Sequence, residues 1–231
     1  MALVKKGKAI VLVCGGMDSA LTAAYAFKKY EPCFLHVNYG QRTQRRELRA
    51  FKEIADYYGV KHRLVVDISY LKEIGGSSLT DTNMKVGKAN LNAKKVPSSY
   101  VPFRNANILA IATSWAEVIG AKAIYTGAVE EDSSGYPDCR EEFFVSYEKM
   151  ISWGTKPETR IKIESPIIHF SKKEIVKKSF AMKSPLHLTW SCYTSNTKAC
   201  GECDSCGLRL RGFQQAGKKD VIEYKKILNY L

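Results

Sequence analysis

Residues 9–13, Ala-Ile-Val-Leu-Val, run into Cys14-Gly15-Gly16-Met17-Asp18-Ser19, and no other stretch constrains the fold as strongly. The apolar run has the length and β-branched content of a buried strand. Residues 20–27 then read as a helix. A strand that meets two glycines and a helix start can offer unpaired backbone N–H groups, and the positive end of a helix dipole, to an anion. Asp18 or Ser19 is the expected N-cap. An ordinary tight βα turn would use the same glycines, and neither G-x-x-x-x-G-K-[ST] nor G-x-G-x-x-G is present.

The rhythm continues beyond that turn. Residues 31–38 read as a second buried strand, and residues 43–58 carry Leu48, Phe51, Ile54, Ala55 and Tyr58 at helical spacing with Gly59 as a stop. Residues 61–67 make a third strand. Strands separated by helices of this length imply right-handed βαβ units and a parallel sheet, with a Rossmann-like α/β architecture. Residues 75–102 form a long polar stretch with little periodicity, which reads as disordered or as a functional lid. A long apolar helix follows, opened by residues 100–105 and stopped at Gly120. Residues 121–128 are the fourth strand, and Glu130 to Arg140 follow it, where α/β sheets bind ligands. A helix over 141–152, a short strand over 160–164 and a capping box at Ser171-Lys172-Lys173-Glu174 complete this part.

Near the end of the chain, Cys192, Cys200, Cys203 and Cys206 are spaced C-x7-C-x2-C-x2-C. Four thiolates on short spacers suit a tetrahedral Zn²⁺. A thioredoxin-like C-x-x-C is expected near the first βα turn instead, and cluster ferredoxins place Pro after the last Cys, where this chain has Gly207. With all four as ligands the site is closed, a structural clip for a helix over 208–217. Seven cysteines in all argue against a simple disulfide framework. Cys33 reads as a buried apolar residue, whereas Cys14 and Cys139 adjoin the ligand loops. The four histidines form no metal set and read as structural.

A formal net charge of +13 attracts nucleotides, phosphorylated substrates or nucleic acid, but the basic residues are scattered and the charge does not choose among them. No apolar run is long enough to cross a bilayer, and residues 1–8 leave no room for a signal peptide, so a cytoplasmic location is expected.

These pieces together resemble the 7-cyano-7-deazaguanine synthase family, within the N-type ATP pyrophosphatases. The resemblance rests on Cys14-Gly15-Gly16-Met17-Asp18-Ser19, Tyr39-Gly40-Gln41 and Val101-Pro102-x-Arg104-Asn105. It rests further on Ser134-Gly135-Tyr136-Pro137-Asp138-Cys139-Arg140 and on Thr189-Trp190-Ser191-Cys192-Tyr193 with the later cysteines. It implies an adenine nucleotide alpha hydrolase-like sheet over residues 1–185, with helices on both faces, and a zinc-binding segment over 186–231 packed on it. It implies nucleotide contacts from Val13, Cys14, Gly15, Gly16, Met17, Asp18, Ser19 and Ala20. Substrate contacts would come from Tyr39, Gln41, Arg104, Asn105, Tyr136, Pro137, Asp138 and Arg140, with Asp18, Ser19 and Arg104 in catalytic roles. ATP, Mg²⁺ and Zn²⁺ are the implied cofactors, with 7-carboxy-7-deazaguanine and ammonia as substrates and a homodimer as the assembly; neither a membrane nor a nucleic acid partner is expected. Two positions depart from the family pattern: Cys14 stands where Ser is usual, and Phe103 where Gly is usual, a change that bears on pocket shape. A relative that modifies tRNA, one that transfers the acyl group to a protein amine, and a non-catalytic zinc protein are the competing readings.

Overall fold

The computed structural model describes residues 6–91, 95–130 and 135–231. A five-stranded sheet is built from β1 (Lys8–Leu12), β2 (Glu31–Asn38), β3 (Arg63–Asp67), β4 (Ala123–Tyr125) and β5 (Lys162–Glu164). The order is β3-β2-β1-β4-β5 and every neighbouring pair is parallel. The helices are α1 (Met17–Lys29), α2 (Gln44–Tyr57), α3 (Tyr70–Ile74), α4 (Arg104–Ile119), α5 (Glu141–Gly154), α6 (Lys172–Ala181) and α7 (Asp204–Gln215). The first three strands build outward on one side and the last two on the other, so the switch point lies between β1 and β4.

Alternation along the strands divides the core into two layers. Ala9 and Val11 of β1, Phe34 of β2, and Ala123 and Tyr125 of β4 pack with Ala20, Ala23 and Ala26 of α1 and Phe51, Ile54 and Ala55 of α2. Their neighbours Ile10, Leu35 and Ile124 face the other way, onto Leu109, Ala112 and Ala116 of α4 and Phe144, Tyr147 and Ile151 of α5. Burying each large apolar side chain contributes about 1.5–3 kcal/mol, so both faces must be covered, as the near-continuous apolar strands anticipate.

β2 has the bounds the sequence predicts, and so does the capping box, where Ser171 Oγ accepts from the Glu174 N–H and Glu174 accepts from the Ser171 N–H. Two element bounds change markedly, and one element is new. β4 ends at Tyr125 because residues 126–129 peel away to line a cavity. α7 starts inside the cysteine cluster, at Asp204. The short helix α3 is unannounced by the sequence.

The stretch over 75–102 is tied down where it is described. The Arg42 guanidinium donates to the carbonyls of Ser78 and Asp81, at 2.7 and 2.6 Å. Ala89 N–H donates to the Glu202 carbonyl, and Asn90 N–H to Asp204 Oδ1. At the β5 edge of the sheet, the Ile163 N–H donates to Glu148 Oε2 at 2.6 Å. Among the described residues, no helix is long and apolar enough to cross a membrane.

Candidate functional site

The N-termini of α1, α4, α6 and α7 meet around one cavity at the carboxyl ends of β1, β2 and β4. It has two adjoining lobes of about 260 and 160 Å³, which share Gly16, Asp18, Arg104, Tyr136, Tyr193 and Ser205. A helix start that presents unpaired backbone N–H groups to such a space favours an anion there. A larger groove of about 570 Å³ lies between α5 and β5, but it adjoins none of these helix starts, and size alone does not make a site.

The turn after β1 supplies the first wall. Gly15 adopts φ 97°, and a Cβ on it would meet the Glu47 carbonyl at 2.9 Å, so only glycine fits. The N-cap of α1 is Gly16, not Asp18 or Ser19, and no side chain caps the helix. The Ser19 hydroxyl turns back to donate to the Gly16 carbonyl at 2.9 Å. The first-turn N–H groups are thereby left to whatever occupies the cavity. Cys14 opens onto the cavity; its Sγ accepts from the Gly16 N–H and donates to Ser19 Oγ, both at 3.5 Å. Although the residue is open to the cavity, the surrounding protein desolvates the thiol and pushes its pKa up, with the Ser19 hydrogen bond opposing.

Asp18 pairs through Oδ2 with Lys172 Nζ at 2.8 Å, and Lys172 is 6% exposed. The second oxygen, Asp18 Oδ1, is buried with no hydrogen-bond partner among the described residues. Behind the turn, a Cβ on Gly127 would stand 2.9 Å from Ser19 N, so the chain after β4 presses directly on the start of α1.

Opposite lies an aromatic grip. Arg104 Nη1 donates to Tyr39 Oη at 3.0 Å, and the guanidinium carbon sits 5.0 Å from the Tyr39 ring centroid and 5.9 Å from that of Tyr136. Tyr136 Oη donates to Ser99, and the Tyr193 hydroxyl lies 3.4 Å from it. Burial drives the Tyr39 pKa well up, the Arg104 charge opposing, so the phenol keeps its proton at neutral pH.

The sequence-derived residues separate on this geometry. Val13, Cys14, Gly16, Met17, Asp18, Ser19, Tyr39, Arg104, Asn105 and Tyr136 line the two lobes. Gly15 underlies the turn, and Ala20 is buried in the sheet–helix core. Gln41 accepts from the Tyr39 N–H and donates to Glu47, shaping the turn from behind. Asp138 is 3% exposed and accepts from the Asn105 N–H at 2.9 Å, while its carbonyl takes Asn105 Nδ2. Pro137 and Arg140 are exposed and line neither lobe, and Ser134 lies outside the described residues. Phe103, 62% exposed, also stands outside the cavity. It takes the left-handed φ of 55° at the N-cap of α4, a conformation that favours glycine.

Sequence reasoning missed Lys172, Glu47, Gly127, Trp190, Tyr193 and Ser205 as cavity residues. One signal for Lys172 was present, since a lysine in the first helical turn opposes the dipole and needs a local reason.

The four cysteine Sγ atoms of residues 192, 200, 203 and 206 lie within 4.8 Å of one another, with Cys200 and Cys206 at 3.8 Å. A tetrahedron of sulfurs about 2.3 Å from a central ion has edges of about that length, so the set fits a metal. Backbone N–H groups of Cys200 and Cys203 point at the sulfurs of Cys192 and Cys200, each at 3.3 Å, as thiolate ligands require. The C-terminal tail wraps this knob, pairing Tyr224 with Ala199 and sending Tyr230 Oη to the Gly201 carbonyl.

Comparison with known proteins agrees with this arrangement. The 7-cyano-7-deazaguanine synthase of Chloroherpeton thalassium is 55% identical over 97% of this chain and 100% of that protein. That of Chlorobium phaeobacteroides is 54% identical with the same coverage. The NH3-dependent NAD synthetase structure from Campylobacter jejuni overlaps 81% of this chain and 68% of that chain at 10% identity and a TM-score of 0.45, too loose to bear on function. The model of the family described as "Queuosine biosynthesis protein QueC" matches residues 8–217, spanning both the glycine turn and the cysteine cluster, and the chain belongs to that family.

Proposed function

We propose that the protein converts 7-carboxy-7-deazaguanine, ammonia and ATP to 7-cyano-7-deazaguanine. The observation that carries this is the opposition, within one cavity, of an uncapped helix start at Gly16 to the Arg104 grip between Tyr39 and Tyr136. One wall suits phosphates and the other a planar, carboxylate-bearing base.

A carboxylate is a poor electrophile. Its attack on the α-phosphate of ATP forms an acyl-adenylate and breaks the bond to pyrophosphate. Ammonia then adds at the acyl carbon, loses a proton and displaces AMP, giving the amide. A second ATP adenylates the amide oxygen and releases pyrophosphate; AMP and both amide protons then leave as the nitrile forms. Gly16, Ser19 and Lys172 are assigned to the departing pyrophosphate. Asp18 Oδ1, the orphaned oxygen, suits a Mg²⁺ on that group. Arg104 is assigned to the substrate carboxylate, stacked so that it stays fixed as charge moves off that group. Zn²⁺ at the four cysteines supplies cohesion to the C-terminal knob.

The match to stand-alone synthases over their full length favours this reading over tRNA modification or acyl transfer to a protein amine. A homodimer in the cytoplasm and a division into residues 1–185 and 186–231 complete it. Incubation with ATP, Mg²⁺, ammonium and 7-carboxy-7-deazaguanine should give amide and then nitrile by mass detection; neither product, and no pyrophosphate released, overturns the reading.

A further inference from the structure

The cysteine knob touches the cavity at three places. Trp190, two residues before Cys192, donates its N–H to the Gly15 carbonyl at 2.8 Å, so the knob's lead-in is hydrogen-bonded to the phosphate turn. Tyr193, next to Cys192, lines both lobes and packs against both the main core and the knob's own cluster. Ser205, between Cys203 and Cys206 in the first turn of α7, also lines both lobes. The knob's helix α7 packs on α6, where Gly212 lies against Lys172, and the lead-in adds Trp190, whose ring lies 4.7 Å from the Arg46 guanidinium.

We propose that metal occupancy of the four cysteines and ligand occupancy of the cavity are energetically coupled, with Trp190, Tyr193 and Ser205 as the residues that carry the coupling. This rests on the nucleotide reading above. An ion that holds Cys192, Cys203 and Cys206 together fixes the backbone on either side of Tyr193 and Ser205. The wall they form therefore exists in its ligand-binding shape only while the knob is closed. A bound nucleotide, in turn, braces Gly15 and the wall, and so holds the cysteines in register. Coupling of this kind is reciprocal, because ligand and metal shift the same equilibrium by the same factor. A clip remote from the cavity would show none.

The test follows zinc release from the zinc-loaded protein to a colorimetric chelator, with and without saturating α,β-methylene-ATP and Mg²⁺. A zinc-loaded finger peptide controls for direct effects of the nucleotide on the chelator. Wild-type protein should release zinc about tenfold more slowly with the analogue, within the usual range of coupling between sites. Tyr193→Ala and Ser205→Ala keep all four cysteines and should lose most of that protection while still loading zinc. Equilibrium dialysis reads analogue binding in parallel. Bound analogue with unchanged zinc release overturns the coupling alone, and full protection in both variants overturns its assignment to Tyr193 and Ser205. Absence of any bound analogue overturns the nucleotide reading as well.

Discussion

Lys172 and Asp18, 154 residues apart in sequence, meet at 2.8 Å on the wall of the cavity. The pair brings the start of α6 against the start of α1 and stands a buried ammonium beside the phosphate turn. Lys172→Met should therefore lower kcat/KM for pyrophosphate release by about 10²–10³, the scale of losing one preorganised charge at a reacting group. Pyrophosphate release together with circular dichroism checks this, and a folded variant with wild-type kinetics removes Lys172 from the phosphate site.

Arg104 and Arg140 are the two arginines that flank the substrate loops, and only Arg104 lines the cavity. Arg140→Ala should leave turnover within about twofold of wild type, as exposed substitutions commonly do. Arg104→Lys should fail to restore what Arg104→Ala loses, because an ammonium cannot fork onto a carboxylate or stack between two rings. Steady-state kinetics on 7-carboxy-7-deazaguanine should give a loss of about 10²-fold or more for both Arg104 variants. The reverse pattern would relocate the carboxylate site.

Gly127 has no room for a methyl group, since its Cβ would meet the backbone of Ser19 and Asp18 at 2.9 to 3.1 Å. Gly127→Ala should displace the first turn of α1 and weaken nucleotide binding by about tenfold, in keeping with the cost of small errors in an aligned site. Titration calorimetry with ATP and Mg²⁺ measures this directly; unchanged affinity means the turn yields without loss.

Burial holds the Asp138 carboxyl above its ordinary range, with the Asn105 N–H and Arg104 opposing. A carboxyl raised in the folded state contributes stability that is full below the unfolded value and lost as pH rises through the folded one. Asp138→Asn keeps an oxygen for the Asn105 N–H and removes the titration. Wild type should accordingly lose stability relative to the variant as pH rises from the unfolded carboxyl's value of about 4 through the raised folded one. Urea unfolding across that range reads the difference, and parallel curves contradict it.

Much of this molecule was legible in the sequence. Strand 31–38, the stop at Gly120 and the parallel sheet follow from periodicity and glycine placement, which are local signals. Membership of the site was legible wherever a residue lay at a strand end or helix start, as with Gly16, Ser19, Tyr39 and Arg104. Orientation was not. Asp138 lies in the expected loop, yet it faces the backbone of α4 because the free N–H of Asn105 competes for its carboxylate. Phe103 departs from the usual glycine, but its left-handed backbone turns the ring out to Phe143, at a centroid distance of 6.2 Å, so the substitution leaves the cavity wall alone. Lys172 and Ser205 reach the cavity through the packing of α6 and α7, which no local pattern encodes.

The carboxylate of Glu148 on the Ile163 amide carries a consequence for how copies of this chain can meet. A strand added along β5 would need that amide and would have to displace the carboxylate from it. This border of the sheet is thus blunted against edge-to-edge pairing.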